Sequence, residues 1–204
     1  MKRRDALSSA KIDIKMLVFA GNPGNQYKET RHNAGWLCLE TLEQRHSLSW
    51  SEKFNSRLGN FRLESSQYRV LQPLCFMNKT GEPVRKAADF FQLDPEEVLV
   101  IHDDLELPFG TVQIRKGGGL GGHNGLRSMK QHLGSDAFYR LRFGISRPSR
   151  GDVSSWVLSR FSVEEMPMMG ILTERSIRVL EEILKGNHNT LINKKLNLLD
   201  GMPE

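Results

Sequence analysis

Apolar and polar residues along the chain fall into short blocks whose repeat switches between two residues and three to four. Met16-Leu17-Val18-Phe19-Ala20 is an apolar run that stops at Gly21-Asn22-Pro23-Gly24, which predicts a buried strand entering a turn. Trp36, Leu39 and Leu42 recur at helical spacing and predict a helix from about Ala34 to Arg45. Arg57 to Glu64 and Tyr68 to Leu74, divided by Ser65-Ser66-Gln67, predict a hairpin. Val84, Ala87, Ala88 and Phe91 predict a second helix over Gly81 to Gln92. Val98 to Ile101 is wholly apolar and ends at His102-Asp103-Asp104, the pattern of a central strand with polar residues at its carboxyl end.

The second half continues in the same way. Thr111 to Arg115 predicts a strand and is followed by the glycine-rich stretch Gly117 to Gly125. Leu126 to Leu133 predicts a helix, and Tyr139 to Ile145 a strand that alternates large apolar residues with Arg140 and Arg142. From about Glu164 to Leu184 the pattern is helical, with Ile177, Leu180 and Leu184 on one side. The tail after Lys185 is polar with scattered leucines and supports no element.

Strands alternating with helices predict an α/β protein: a single-domain three-layer sandwich with a mixed, mostly parallel twisted sheet flanked by helices. Residues 1–15 read as an N-terminal extension and 16–204 as the domain. Sites in open α/β sheets form beyond the carboxyl ends of the strands. Three polar clusters follow strands directly: Gly21 to Asn25, Phe76 to Asn78, and His102 to Asp104. Parallel strands would bring all three to one rim.

Composition narrows the class without naming a function. The chain has 204 residues, 38% hydrophobic and 26% charged, which suits one folded domain with a core of its own. No apolar run approaches the roughly 18 residues of a membrane-spanning helix. The basic start Met1-Lys2-Arg3-Arg4 leads into no apolar stretch before Lys11 and Asp13, so a cytoplasmic location is expected. Net charge +5 is compatible with a polyanionic partner but does not by itself point to one. Cys38 and Cys75 sit in apolar company with no metal-like spacing, as reduced core thiols would.

His32 lies between a turn and a helix, where the chain can present a side chain to a cleft, although a lone histidine is more often structural. Imidazole suits general-base work near neutral pH. No G-x-S-x-G elbow or activated cysteine offers a covalent nucleophile, which favours a histidine that activates water. A carboxylate should orient it, with Asp103 the first choice and Asp104 the alternative; both acids could equally do no more than solvate a strand end. His102, Asp103, Asp104 and His123 match no metal-ligand motif. Gly117, Gly119 and Gly122 satisfy G-x-G-x-x-G, but Arg142 and Phe143 stand where a dinucleotide site needs an acid. A lid or phosphate-binding loop fits better, with His123 and Asn124 at the start of the helix. Arg115, Lys116, Arg127, Lys130, Arg140, Arg142, Arg147 and Arg150 could form one basic face or only scattered solvated charge.

Four blocks together resemble the bacterial peptidyl-tRNA hydrolase family. They are Gly21-Asn22-Pro23-Gly24 with Tyr27 and Thr30-Arg31-His32-Asn33-Ala34-Gly35; Phe76-Met77-Asn78-Lys79-Thr80-Gly81; His102 through Gly110; and Gly117 through Leu126. They occur in the family's order, and the resemblance covers about Met16 to Leu184. It implies an enzyme that cleaves the ester between a peptide and the 3′ end of tRNA, without metal or cofactor. His32 would activate water, Asp103 would orient it, and Asn22 would help select N-blocked groups. Tyr27, Phe76, Asn78 and Asn124 would line the substrate site, and Arg115 and Arg142 would face tRNA phosphates. The resemblance further implies a cytoplasmic monomer with peptidyl-tRNA as its partner, no membrane association and no obligate protein partner. The chain departs from the family at Asp104, often glutamate, and at Gln113, where some relatives carry lysine. A non-catalytic RNA-binding protein of the same fold is the alternative.

Overall fold

The computed structural model describes residues 12–186 and 191–200. Most of the expected extension, residues 1–11, lies outside the described residues. The part that is described already belongs to the domain. Ile14 is buried, and the backbone of Lys15 bonds to Glu97 on one side and Arg69 on the other.

Among the described residues, 3-10 turns aside, thirteen strands and α-helices follow one another: β1 (Met16–Phe19), α1 (Ala34–Arg45), β2 (Ser49–Lys53), β3 (Ser56–Leu63), β4 (Ser66–Pro73), α2 (Gly81–Phe91), β5 (Val98–Asp104), β6 (Thr111–Lys116), α3 (Asn124–Leu133), β7 (Tyr139–Gly144), α4 (Val153–Val157), α5 (Met166–Leu184) and β8 (Lys195–Asn197). The strands form one mixed sheet in the order β2-β3-β4-β1-β5-β7-β6-β8. Its four central strands, β4, β1, β5 and β7, run parallel, while β2, β3, β6 and β8 are joined antiparallel at the two sides. Parallel pairing is therefore confined to the middle, where both faces are covered.

Alternation along each strand divides the core in two. Leu17 and Phe19 of β1 join the layer formed with α1 and α5, while Met16 and Val18 join Val84, Ala87, Leu126 and Met129 on the side of α2 and α3. Cys38 lies in the first layer, where burial pushes its thiol up to about 12, so both it and the buried Cys75 are inert thiols.

Three elements escape the apolar pattern, among them the five-residue α4. β2, Ser-Trp-Ser-Glu-Lys, is a polar edge strand, and β8 is a three-residue edge held by β6. α3 starts at Asn124, two residues earlier than apolar spacing alone implies, because His123 caps it. β5 continues through Asp104, so its polar end is still strand and still buried.

The sheet delivers the three polar clusters to one rim, since β1, β4 and β5 are mutually parallel. α1 is seated directly on that rim. A Cβ at Gly35 would lie 2.4 Å from the carbonyl oxygen of Ala20 and 2.6 Å from that of Ile101, so only glycine permits this approach. The turn carrying His32 is thereby held above the ends of β1 and β5.

Candidate active site

His32 sits in a single turn of 3-10 helix, Arg31–Asn33, just before α1. The turn is tied down on its far side. The Arg31 amide donates to the carbonyl of Ser159, and the buried Arg31 side chain pairs with Glu165 at 2.7 Å while its guanidinium lies 3.8 Å from the Trp156 ring centroid. Such a desolvated cation–π contact and ion pair together hold the loop against α4 and the start of α5.

The His32 ring meets the end of β5. Its Nδ1 lies 2.9 Å from Oδ1 and 3.0 Å from Oδ2 of Asp103. A carboxylate so placed accepts the Nδ1 proton and leaves Nε2 as the lone-pair nitrogen. A second histidine shares the same carboxylate. His123 caps α3, its Nδ1 accepting from the amides of Gly125 and Leu126, so its proton resides on Nε2, which donates to Asp103 Oδ1 at 3.0 Å. Asp103 is thus an anion between two imidazole donors.

The charges follow from this geometry. Burial raises the Asp103 carboxyl, but the two imidazoles and their hydrogen bonds outweigh it and hold the group well below the usual carboxylate range. Burial works against charge on His32, and the adjacent Asp103 anion overrides it, holding the imidazole above its ordinary value. His102, one residue before Asp103, donates from Nδ1 to the Asp103 carbonyl and is fully buried. Burial and the neighbouring His123 hold it down to about 3, so it stays neutral.

Asn22 is fixed from three directions. Its Oδ1 accepts from the Met77 amide at 2.7 Å, and its backbone exchanges two hydrogen bonds with the Asn33 side chain at 2.8 and 3.0 Å. With Oδ1 occupied, the amide group Nδ2 is the free end. Tyr27 and Phe76 meet edge to face with centroids 6.2 Å apart, and Phe76 and Asn78 are exposed.

A cavity of about 330 Å³ opens beside these groups. Its lining includes His32, Asp103, His123 and Asn124 on one side, and Leu120 and Val153 on others. Asn22, Tyr27, Phe76 and Asn78 are not among its lining residues; Asn22 is joined to the Met77 amide and Tyr27 to the Phe76 ring.

Of the second-half cations, which could form one basic face or only scattered solvated charge, most are paired within the protein. Arg140 is buried and donates to the carbonyls of Gly117 and Gly119, so it shapes the glycine-rich loop instead of facing solvent. Arg142 is 11% exposed in its side chain and bonds to Asp104 at 2.7 Å and to Gln113. Arg127 holds Gly122 and Asn124, Lys116 pairs with Glu96, Lys130 with Asp136, and Arg147 with Glu106. Arg115 is exposed at the mouth of the loop and forms no ion pair among the described residues. The alternative orienting acid, Asp104, is committed to Arg142 and not to His32.

His32, Asp103 and His123 also present donor atoms within 4.8 Å of one another, a spacing that could hold a metal ion. In the structure Asp103 is hydrogen-bonded to both imidazoles at 2.9 to 3.0 Å, through His32 Nδ1 and His123 Nε2. The sequence places His123 at the helix start as a polar contact but does not announce its bond to Asp103. The signal for the residue is its place immediately before α3, where a side-chain acceptor is needed.

Known proteins match this chain closely. A family model described as peptidyl-tRNA hydrolase matches residues 16–200. A curated protein of that name from Citrifermentans bemidjiense is 43% identical over 172 residues, covering 84% of this chain and 92% of its own. Another from Treponema pallidum is 46% identical over 170 residues, covering 79% and 84%. The crystal structure of peptidyl-tRNA hydrolase from Acinetobacter baumannii is 32% identical, with a TM-score of 0.83 over 91% of this chain and 95% of that one.

Proposed function

The chain belongs to the peptidyl-tRNA hydrolase family, and from that premise we propose that it cleaves the ester joining a peptide to the tRNA 3′ end with a water molecule activated by His32. The observation that carries this mechanism is the two-oxygen grip of Asp103 on His32 Nδ1, which leaves Nε2 as a base facing the cavity.

Water bound at Nε2 gives its proton to His32 as its oxygen attacks the ester carbonyl. Asp103 stabilises the imidazolium that forms. Collapse of the tetrahedral intermediate passes the proton from His32 to the departing ribose oxygen, yielding a free 3′ hydroxyl and a peptide carboxylic acid that loses its remaining proton to solvent. His123, anchored by α3, keeps Asp103 ionised and aimed. The free Nδ2 of Asn22 supplies a donor for the substrate's carbonyl groups, as do the amides of Asn78 and Asn124. Tyr27 and Phe76 offer apolar rings to the peptide and the terminal nucleotide. The enzyme acts in the cytoplasm as a monomer, without a protein partner, a metal or a cofactor. No helix of the described residues is long and apolar enough to cross a membrane.

Among the arginines, Arg115 is the better placed for phosphate. Arg115→Ala is expected to reduce the salt slope of tRNA binding by about one. Arg142→Ala should instead leave Asp104 buried without its partner and lower stability by roughly 3 kcal/mol. Salt titrations and chemical denaturation of both variants separate the two outcomes.

The function is tested by release of N-acetylated amino acid from acetyl-aminoacyl-tRNA, with unblocked aminoacyl-tRNA and EDTA as controls. Cleavage of the blocked substrate alone, undiminished by EDTA, is expected. Saturable tRNA binding without cleavage would move the chain to the non-catalytic RNA-binding alternative.

A further inference from the structure

The outer part of the sheet, far from the basic residues grouped by sequence, carries an unexplained surface. On the α2 side of β3 and β4, Asn60 stands opposite Arg69 and Arg62 opposite Gln67. Lys53 at the end of β2 faces the same way by alternation, and no aspartate or glutamate of β2, β3 or β4 shares that face.

Against this face lies the end of α2 with Phe90 and Phe91, beside Phe54 of the turn between β2 and β3. Phe90 is 57% exposed, with Phe54 5.5 Å and Phe91 5.0 Å away between centroids. Lys53 Nζ stands 3.3 Å from the centre of the Phe90 ring, and the Arg69 guanidinium 4.1 Å from that of Phe91. Asn60, Gln67, Arg69 and Phe91 enclose a cleft of about 320 Å³. The nearest helix acid, Asp89, is neutralised by Arg85 at 2.7 Å. Among the described residues, no ion pair engages Lys53, Arg62, Arg69 or Lys86.

Unpaired cations, amides and an exposed aromatic ring on one open face suit RNA better than protein. Cations meet phosphates, rings stack on bases, and amides read base edges. An acidic protein would use the cations but would leave Phe90 without a matching contact.

The surface is also within reach of the active site. α2 begins just after Asn78, and its eleven residues span about 16 Å to Phe91. Phe91 and Leu120 of the glycine-rich loop pack against the same core layer, so both regions lie on one side of the sheet.

Resting on the peptidyl-tRNA reading, we infer that the face formed by Arg62, Arg69, Lys53 and Phe90 is a second RNA-binding surface. It takes unpaired nucleotides from the body of the substrate tRNA, outside the 3′ end that enters the cavity.

The test compares the half-saturating concentration for full-length acetyl-aminoacyl-tRNA with that for a substrate cut down to the acceptor stem. Both are measured for the wild type, Phe90→Ala and Arg62→Ala. Each variant alters an exposed side chain, and its melting temperature is checked first. Phe90→Ala is expected to raise the full-length value about tenfold, the size of one lost base stack. Arg62→Ala should lower the salt slope by about 0.7, as for one contact to a single strand. The maximal rate and the values for the short substrate should not change. Unchanged full-length values, or equal losses on both substrates, would overturn the surface. Hydrolysis of neither substrate by the wild type would instead overturn the function on which it rests.

Discussion

Replacement of His32 by alanine is expected to lower single-turnover ester cleavage by roughly a hundredfold to ten-thousandfold, the range a positioned base contributes. Binding of tRNA should remain within about twofold, because phosphate contacts dominate affinity and His32 makes none. The fold should also survive. His32 is buried, but its loss leaves Asp103 still paired with His123, while Arg31 holds the turn through Glu165 and Trp156. The comparison requires single-turnover conditions with enzyme in excess, so that product release does not mask the chemical step. Retention of the wild-type rate would remove His32 from the mechanism.

Asp103→Asn is expected to cost roughly a thousandfold or more while preserving shape, by analogy with the loss of an orienting carboxylate in other histidine-based sites. The reason is specific to this geometry. Asp103 now accepts from two imidazoles, His32 and His123. An asparagine offers one accepting oxygen and one donating amide. His123 cannot change tautomer without losing its cap on α3, so it claims the oxygen. His32 Nδ1, equally close to both carboxylate oxygens in the native site, then shares that oxygen with His123 and meets an N–H at the other atom, which favours its proton on Nε2 and weakens the base. Histidine NMR of the variant should report that tautomer exchange, and a rate near wild type would contradict it.

Much of this arrangement is legible in the residues themselves. The apolar runs of β1 and β5 and the stop at Gly21-Asn22-Pro23-Gly24 place the carboxyl-end rim, and α1 occupies the span its periodicity predicts. His32 Nδ1 bonds to Asp103, 71 positions away, and not to Asp104. What decides it is alternation along β5, since adjacent strand residues face opposite sides and Asp104 turns to Arg142.

The rest needed three dimensions. β2 has no apolar alternation because it is an exposed edge, with Trp50 alone packing on the core layer. α4 is only five residues long, too short to show a period. The second-half arginines read as a basic face because sequence displays charge but not the partner that neutralises it. Arg140 and Arg142 turned out to bind loop carbonyls and Asp104. Conversely, Lys53, Arg62 and Arg69 are scattered in sequence and are gathered only by strand pairing.

The central claim is that His32, raised by the Asp103 anion, is the base. The direct measurement is the pH dependence of single-turnover cleavage, set beside an NMR titration of His32 in the same enzyme. A base must be unprotonated, and its pKa in the fold lies above the ordinary 6.5. The rate should therefore fall as pH drops through a midpoint above 6.5, and the His32 titration should share that midpoint. A flat profile across this range, or a kinetic midpoint that His32 does not share, would contradict the account.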